Sequence, residues 1–207
     1  MRTYPVMLNV LGRTCVVVGA GAVGVRKASA LAAAGAKVRL VAPRIDEESL
    51  PPGVDPVRQN YDGRLLSGAV LVFACTDDRQ LNSRIAADAR RAGALVNAVD
   101  QPEDCDFYVP AVLAEGDVLV AVGTGGSAPA LAAHLKQRLA EHLPARLGEF
   151  AAALDEVRRG MRPRLADRRR RARLMEQLAD QRGYDEFMTA GVAGLRRLAD
   201  ELLKATP

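Results

Sequence analysis

Residues 15–24, Cys-Val-Val-Val-Gly-Ala-Gly-Ala-Val-Gly, carry an apolar run straight into a G-x-G-x-x-G turn. The Ala-rich stretch 22–34 behind it reads as a helix that stops at Gly35, and residues 37–41 read as a second strand. A glycine turn alone says little. Strand, turn, helix and strand in succession specify a βαβ unit and turn the motif into a dinucleotide-binding fingerprint. In that setting Gly19 permits the tight turn, Gly21 lets backbone N–H groups approach a pyrophosphate, and Gly24 lets the helix lie close to the sheet. The helix start adds its partial positive charge.

The alternation continues. Strands are expected at 14–18, 37–41, 54–59, 69–74 and 95–98, with helices at 22–34 and 80–92 and a short one near 63–66. The first, fourth and fifth strands are near-continuous apolar runs, as a sheet covered on both faces requires. Asp77 and Asp78 are N-cap candidates for the 80–92 helix, and Gly35 and Gly93 close their helices. The expected fold class is α/β: a Rossmann-like doubly wound parallel sheet, then a small dimerisation segment and a helical C-terminal domain. The corresponding boundaries are 1–112, 113–143 and 144–207. In the middle segment a strand at 118–122 runs into Gly123-Thr124-Gly125-Gly126, and a helix follows from 130 to 143.

Beyond Pro144 strand patterns cease and helical periodicity spans 145–159, 164–181 and 184–204. Nine of the sixteen residues from Arg158 to Arg173 are arginine, so the net charge of +4 is concentrated late in the chain. Such a run attracts polyanions: nucleic acid, an anionic lipid surface or a substrate with many carboxylates. The alternative is a solvated helix face, partly offset by Asp155, Glu156 and Asp167. Aromatics are only 4% and no reading motif occurs, which argues against nucleic acid. No apolar run approaches the roughly 18 residues of a membrane span, and the N-terminus lacks a signal-peptide pattern, so a cytoplasmic protein without membrane contact is expected. Cys15, Cys75 and Cys105 have no C-x-x-C spacing and do not form a disulfide framework.

Ligands of open α/β sheets bind outside the carboxyl ends of the strands. The glycine turn, Pro43-Arg44, Cys75-Thr76 and Asn97 to Asp100 should converge there. The acidic residue that grips an adenosine ribose is missing, and Arg44 stands near its place, so the residues leave NAD and NADP open. Asp100 is the candidate catalytic carboxylate, with a turn-forming Asp before Gln101-Pro102 as the plainer explanation. Asp104 and Asp106 compete more weakly. His134 and His142, eight apart, do not make a metal pair, and no metal site is expected. The 123–126 glycines suit either an anion nest or a hinge.

Several segments in order fit one family: Tyr4-Pro5-Val6; Gly19 to Val23 with Arg26-Lys27-Ala28; Ala74 to Asp78 with Leu81-Asn82; Asn97 to Asp100; Asp106-Phe107 with Pro110-Ala111; and Gly123 to Gly126 with Pro129. The chain resembles the precorrin-2 dehydrogenase family, the N-terminal module of siroheme synthases, as far as Leu143. The resemblance implies NAD-dependent oxidation of precorrin-2 to sirohydrochlorin, with ferrous iron as a further substrate in members that also make siroheme. It implies NAD contacts from Gly19, Gly21, Ala22, Val23, Gly24, Pro43, Arg44 and Thr76, and a proton-handling role for Asp100. Asn97, Thr124, Gly125, Gly126, Arg168 and Arg169 become candidates for the tetrapyrrole and its carboxylates. Thr124 matches a position where some members carry a phosphorylatable serine, and Ala128 replaces the family's usual serine before Pro129. A homodimer is implied, and a chain ending at residue 207 implies the stand-alone form without a methyltransferase domain. A dehydrogenase without chelatase activity and a nucleotide-sensing module of the same fold are the alternatives.

Overall fold

The computed structural model describes residues 3–205. Five parallel strands, β1 (Thr14–Val18), β2 (Lys37–Val41), β3 (Val54–Val57), β4 (Ala69–Ala74) and β5 (Leu95–Ala98), form one sheet in the order β3-β2-β1-β4-β5. Helix α1 (Ala22–Ala33) joins β1 to β2, and α2 (Arg79–Arg91) joins β4 to β5. Side chains alternate across the sheet, so each apolar run supplies two cores. Cys15, Val17, Val38, Leu40, Leu71 and Phe73 pack with Ala28 and Leu31 of α1. Val16, Val18, Val72, Ala74, Val96 and Ala98 pack with Ile85, Ala86 and Ala89 of α2.

β3 is shorter than the expected 54–59 because Gln59 already turns back to Val57 O at 3.0 Å. Its Pro56 is tolerated because β3 is an edge strand. Of the two cap candidates Asp78 is the one used: its carboxylate accepts from Gln80 N and Leu81 N, and α2 therefore begins at Arg79.

The chain forms two compact units. One runs to Val109 and includes Gly125–Ser127; the other comprises Pro110–Thr124 and the chain from Ala128 onward. In the second, β6 (Ala111–Glu115) pairs antiparallel with β7 (Val118–Val122), with Glu115 opposite Val118. A Gly116-Asp117 loop joins them, Gly116 having a φ of +57°. The sequence pattern predicts only the second of these strands. Helix α3 (Pro129–Ala140) packs on the hairpin. Helices α4 (Leu147–Met161), α5 (Arg168–Leu178) and α6 (Gln181–Ala205) enclose a core of Phe150, Val157, Leu174, Leu178, Phe187 and Leu195. The helix expected from 164 begins only at Arg168, because Asp167 caps it by accepting from Arg169 N and Arg170 N. α6 is broken at Ala190 and Gly191, where Gly191 has a φ of +58°. No helix among the described residues is long and apolar enough to cross a membrane.

Candidate active site

The chain leaves β1 toward β2 on one side of the sheet and leaves β4 toward β5 on the other. The crevice between those departures, at the carboxyl ends of β1 and β4, is where ligands of such sheets bind. Gly19 stands at it with a φ of +107°, and its N–H donates to Val41 O at 2.8 Å. A Cβ on Gly19 would lie 2.3 Å from Cys75 O, and one on Gly24 would lie 1.9 Å from Gly19 O. Packing within the chain thus requires both glycines. Gly21 is different: its φ is −71°, and a Cβ there would meet no atom within 4 Å. Neither strain nor packing within the chain demands glycine at 21, so a ligand could approach its backbone closely.

Helix α1 starts directly after Gly21 with no side-chain cap and no acidic residue in its first turn. The opening N–H groups of a helix have no partner within it. Those at Ala22, Val23 and Gly24 therefore remain available to an anion. Pro43 and Arg44 lie exposed beyond the end of β2.

The opposite wall, 75–78, is held by Asn82, which sequence reasoning noted only as part of a motif. Its side chain is 2% exposed. Asn82 Oδ1 accepts from Thr76 N at 3.2 Å and from Thr76 Oγ1 at 2.7 Å, and Nδ2 donates to Thr76 O at 3.0 Å. Thr76, a candidate cofactor contact, is thereby fixed in backbone and side chain. The detectable signal is a polar residue on the apolar stripe of α2 shared with Ile85, Ala86 and Ala89. Burial pushes the Cys75 thiol up to about 11, so it is protonated at neutral pH. Lys27 lies over the Phe73 ring, 5.5 Å from its centroid, and burial lowers its pKa.

At the end of β5, Gln101 N approaches Ala98 O at 3.4 Å, closing a turn with Val99 and Asp100 in its centre. Asp100 occupies the third turn position with a φ of +58° and an exposed side chain. Glycine or asparagine is the unstrained choice there. Asp, like Asn, tolerates that conformation better than other side chains do, at a cost of up to about 1 kcal/mol relative to glycine. Asn97, paired with Phe73 in the sheet, donates from Nδ2 to Phe107 O at 2.9 Å. Cys105, its thiol raised mainly by burial, accepts from Ala98 N at 3.3 Å.

The glycine turn, Pro43, Arg44, Thr76, Asn97 and Asp100 thus share the carboxyl-end rim of one sheet. Gly125 and Gly126 belong to the same unit, with φ of +61° and +83°, and a Cβ on Gly126 would lie 2.8 Å from the Tyr108 ring. Thr124, Arg168 and Arg169 belong to the second unit. Thr124 Oγ1 accepts from Ala128 N at 3.2 Å, at the start of α3. Arg168 and Arg169 are exposed in the first turn of α5. No group of three His, Cys, Asp or Glu side chains suited to a metal ion occurs among the described residues.

The family model described as "Putative NAD(P)-binding" matches residues 6–111. The chain belongs to this family. Three glycines with distinct geometric reasons and an uncapped helix start are what a dinucleotide pyrophosphate requires, so the residues of this NAD(P)-binding unit fit the cofactor. Among curated relatives, the siroheme synthase of Nitrosomonas eutropha is 35% identical over 200 residues, 92% of this chain and 41% of that protein. The siroheme synthase of Azotobacter vinelandii is 38% identical over 182 residues, 86% of this chain and 39% of that protein. The chain spans less than half the length of these relatives. Among solved structures, SirC, a precorrin-2 dehydrogenase, superposes with a TM-score of 0.72 over 98% of this chain and all of its own, at 21% identity. That likeness is one of fold.

Proposed function

We propose that this chain is an NAD-dependent precorrin-2 dehydrogenase, oxidising precorrin-2 to sirohydrochlorin on the route to siroheme, in the cytoplasm and as a homodimer. The observation that carries the reading is Asp100: a strained carboxylate on the rim shared with the glycine turn, in a chain related along most of its length to siroheme synthases.

Bound NAD supplies a hydride acceptor at the rim. The N–H groups that open α1 bind its pyrophosphate, and the Asn82 clamp on Thr76 keeps the opposite wall rigid. Loss of hydride from the tetrapyrrole is balanced by loss of a proton, and a carboxylate oxygen of Asp100 takes it. In this reading Asn97, Gly125 and Gly126 of the first unit contact the macrocycle; Thr124, Arg168 and Arg169, in the second unit, are separate candidate contacts for its carboxylates. Four consecutive arginines from Arg168 to Arg171 stand in the first turn of α5, where a helix already has excess positive charge. An anionic partner there offsets a repulsion that Asp167 alone only partly relieves. The dimer is supported by exposed Leu131, Leu135 and Leu139 at helical spacing along α3, with exposed Val112 and Leu119 on the hairpin.

The decisive assay is anaerobic: precorrin-2 with NAD or NADP, NADH or NADPH followed by absorbance, then ferrous iron added and the spectrum watched for siroheme. NADH formation is expected. In Asp100→Asn, kcat is expected to fall by about 10² or more, with NAD affinity and fold unchanged. Iron insertion faster than the enzyme-free control adds the siroheme-forming step named for the relatives. Its absence leaves a dehydrogenase alone. NAD binding without turnover overturns the proposal in favour of a nucleotide-sensing module.

A further inference from the structure

The residue after Asp100 is the least expected side chain of the rim. Gln101 is 2% exposed, although it lies in a loop and precedes Pro102. A residue before proline is kept out of the helical region, and Gln101, with φ −133° and ψ 76°, is not helical. Left-handed Asp100 turns the chain so that the glutamine is buried and the aspartate exposed. Inside, Gln101 Nε2 faces three acceptors: Ser83 Oγ at 2.8 Å, Asp104 Oδ2 at 2.9 Å and Arg79 O at 3.3 Å. Turning the amide over would place its oxygen against the Asp104 carboxylate and the Arg79 carbonyl, so the orientation is determined by its neighbours. Its Oε1 is buried without a hydrogen-bond partner. Burying an amide with half its capacity unused is unfavourable by about 1–3 kcal/mol. A leucine or methionine would fill the space without that cost.

What the amide does provide is a connection from the loop to the first turns of α2. Arg79 completes it from the other side, donating from Nη1 to Asp100 O at 3.1 Å and pairing with Glu103 at 3.4 Å. Residues 100 to 104 are thus clamped at a side chain and at the very carbonyl of the strained residue. We propose that Gln101, seconded by Arg79, is a positioning residue: it holds Asp100 in its left-handed conformation with the carboxylate presented at the rim. The inference rests on Asp100 being the proton acceptor.

The test is a double-mutant cycle in the 207-residue chain, with kcat and KM for precorrin-2 and NAD measured for each variant. Gln101→Met keeps the volume and discards both the clamp and the unpartnered oxygen. Arg79→Gln, at an exposed site, serves as the independent second variant should Gln101→Met fold poorly. Each is expected to lower kcat, Gln101→Met by about ten- to a hundredfold, with KM for NAD unchanged. Neither should lower it further when Asp100 is already Asn, because a residue acting through Asp100 has nothing left to act on. Equal losses in the wild-type and Asp100→Asn backgrounds, or wild-type kcat in both clamp variants, overturn the inference and leave the Asp100 reading intact. Wild-type kcat in Asp100→Asn overturns that reading and the inference with it.

Discussion

Three glycines within six residues have three different environments. A methyl group at Gly24 would sit 1.9 Å from Gly19 O, closer than any backbone rearrangement short of moving α1 can relieve. Gly24→Ala is therefore expected to lose about 3 kcal/mol or more in denaturant unfolding. Gly21→Ala meets no atom within 4 Å and keeps a favourable φ, so its stability should stay within about 0.5 kcal/mol of wild type. Its NAD dissociation constant, read by titration calorimetry, should rise instead. Equal loss of stability in the two variants would contradict the assignment of Gly21 to the ligand. Asp100 has the complementary logic. Asp100→Gly relieves a φ of +58° and is expected to raise unfolding free energy by about 0.5–1 kcal/mol while abolishing turnover. A gain in stability with loss of turnover would fit the proposed role of Asp100, and unchanged turnover would remove it.

Among the elements, α5 has a sequence that opposes its position. Its first turn holds Arg168 to Arg171 at the helix's positive end, with Asp167 as the cap. Arg168→Glu and Arg169→Glu should each stabilise the folded chain by about 0.3–1 kcal/mol at low ionic strength, an effect that salt screens. The same variants should raise KM for the tetrapyrrole more than they lower kcat. A gain in stability with no change in KM would return the arginines to a solvated face. The pocket wall at 75–78 works the other way. There Asn82 replaces the ladder partner that Thr76 loses when β4 ends, satisfying its N–H and C=O together.

At the scale of the whole molecule, the proposed homodimer rests on exposed apolar side chains of the second unit. Leu131, Leu135 and Leu139 are 50%, 41% and 43% exposed and recur every fourth residue along α3. Burying the remaining exposed half of each side chain contributes on the order of 1 kcal/mol. Leu135→Glu should therefore halve the mass seen by light scattering, without altering far-UV circular dichroism. A wild-type chain that is monomeric at micromolar concentration would remove the homodimer from the proposal.

Most of the sheet was legible because its determinants are local. Apolar runs bounded by glycine turns and helix caps define β1, β2, β4 and β5 to the residue, and the G-x-G-x-x-G spacing marks the crevice beside β1. β6 is harder to read than β7 because Ala111–Glu115 holds two alanines and one valine where β7 holds three valines, so it has few of the β-branched side chains that mark a strand. Arg168 starts α5 where periodicity suggested 164, since one capping hydrogen-bond set outweighs a continuous pattern. By itself, then, the sequence determined the βαβ architecture, the dinucleotide fingerprint and Asp100 as a candidate, all carried by residues near in the chain. Only the tertiary structure decided that Asp100 is strained, that Asn82 braces Thr76 and that Gln101 is buried against Ser83 and Asp104. Those facts depend on which segments meet across the ends of β4 and β5, and a buried amide and an exposed one read the same in a string of letters.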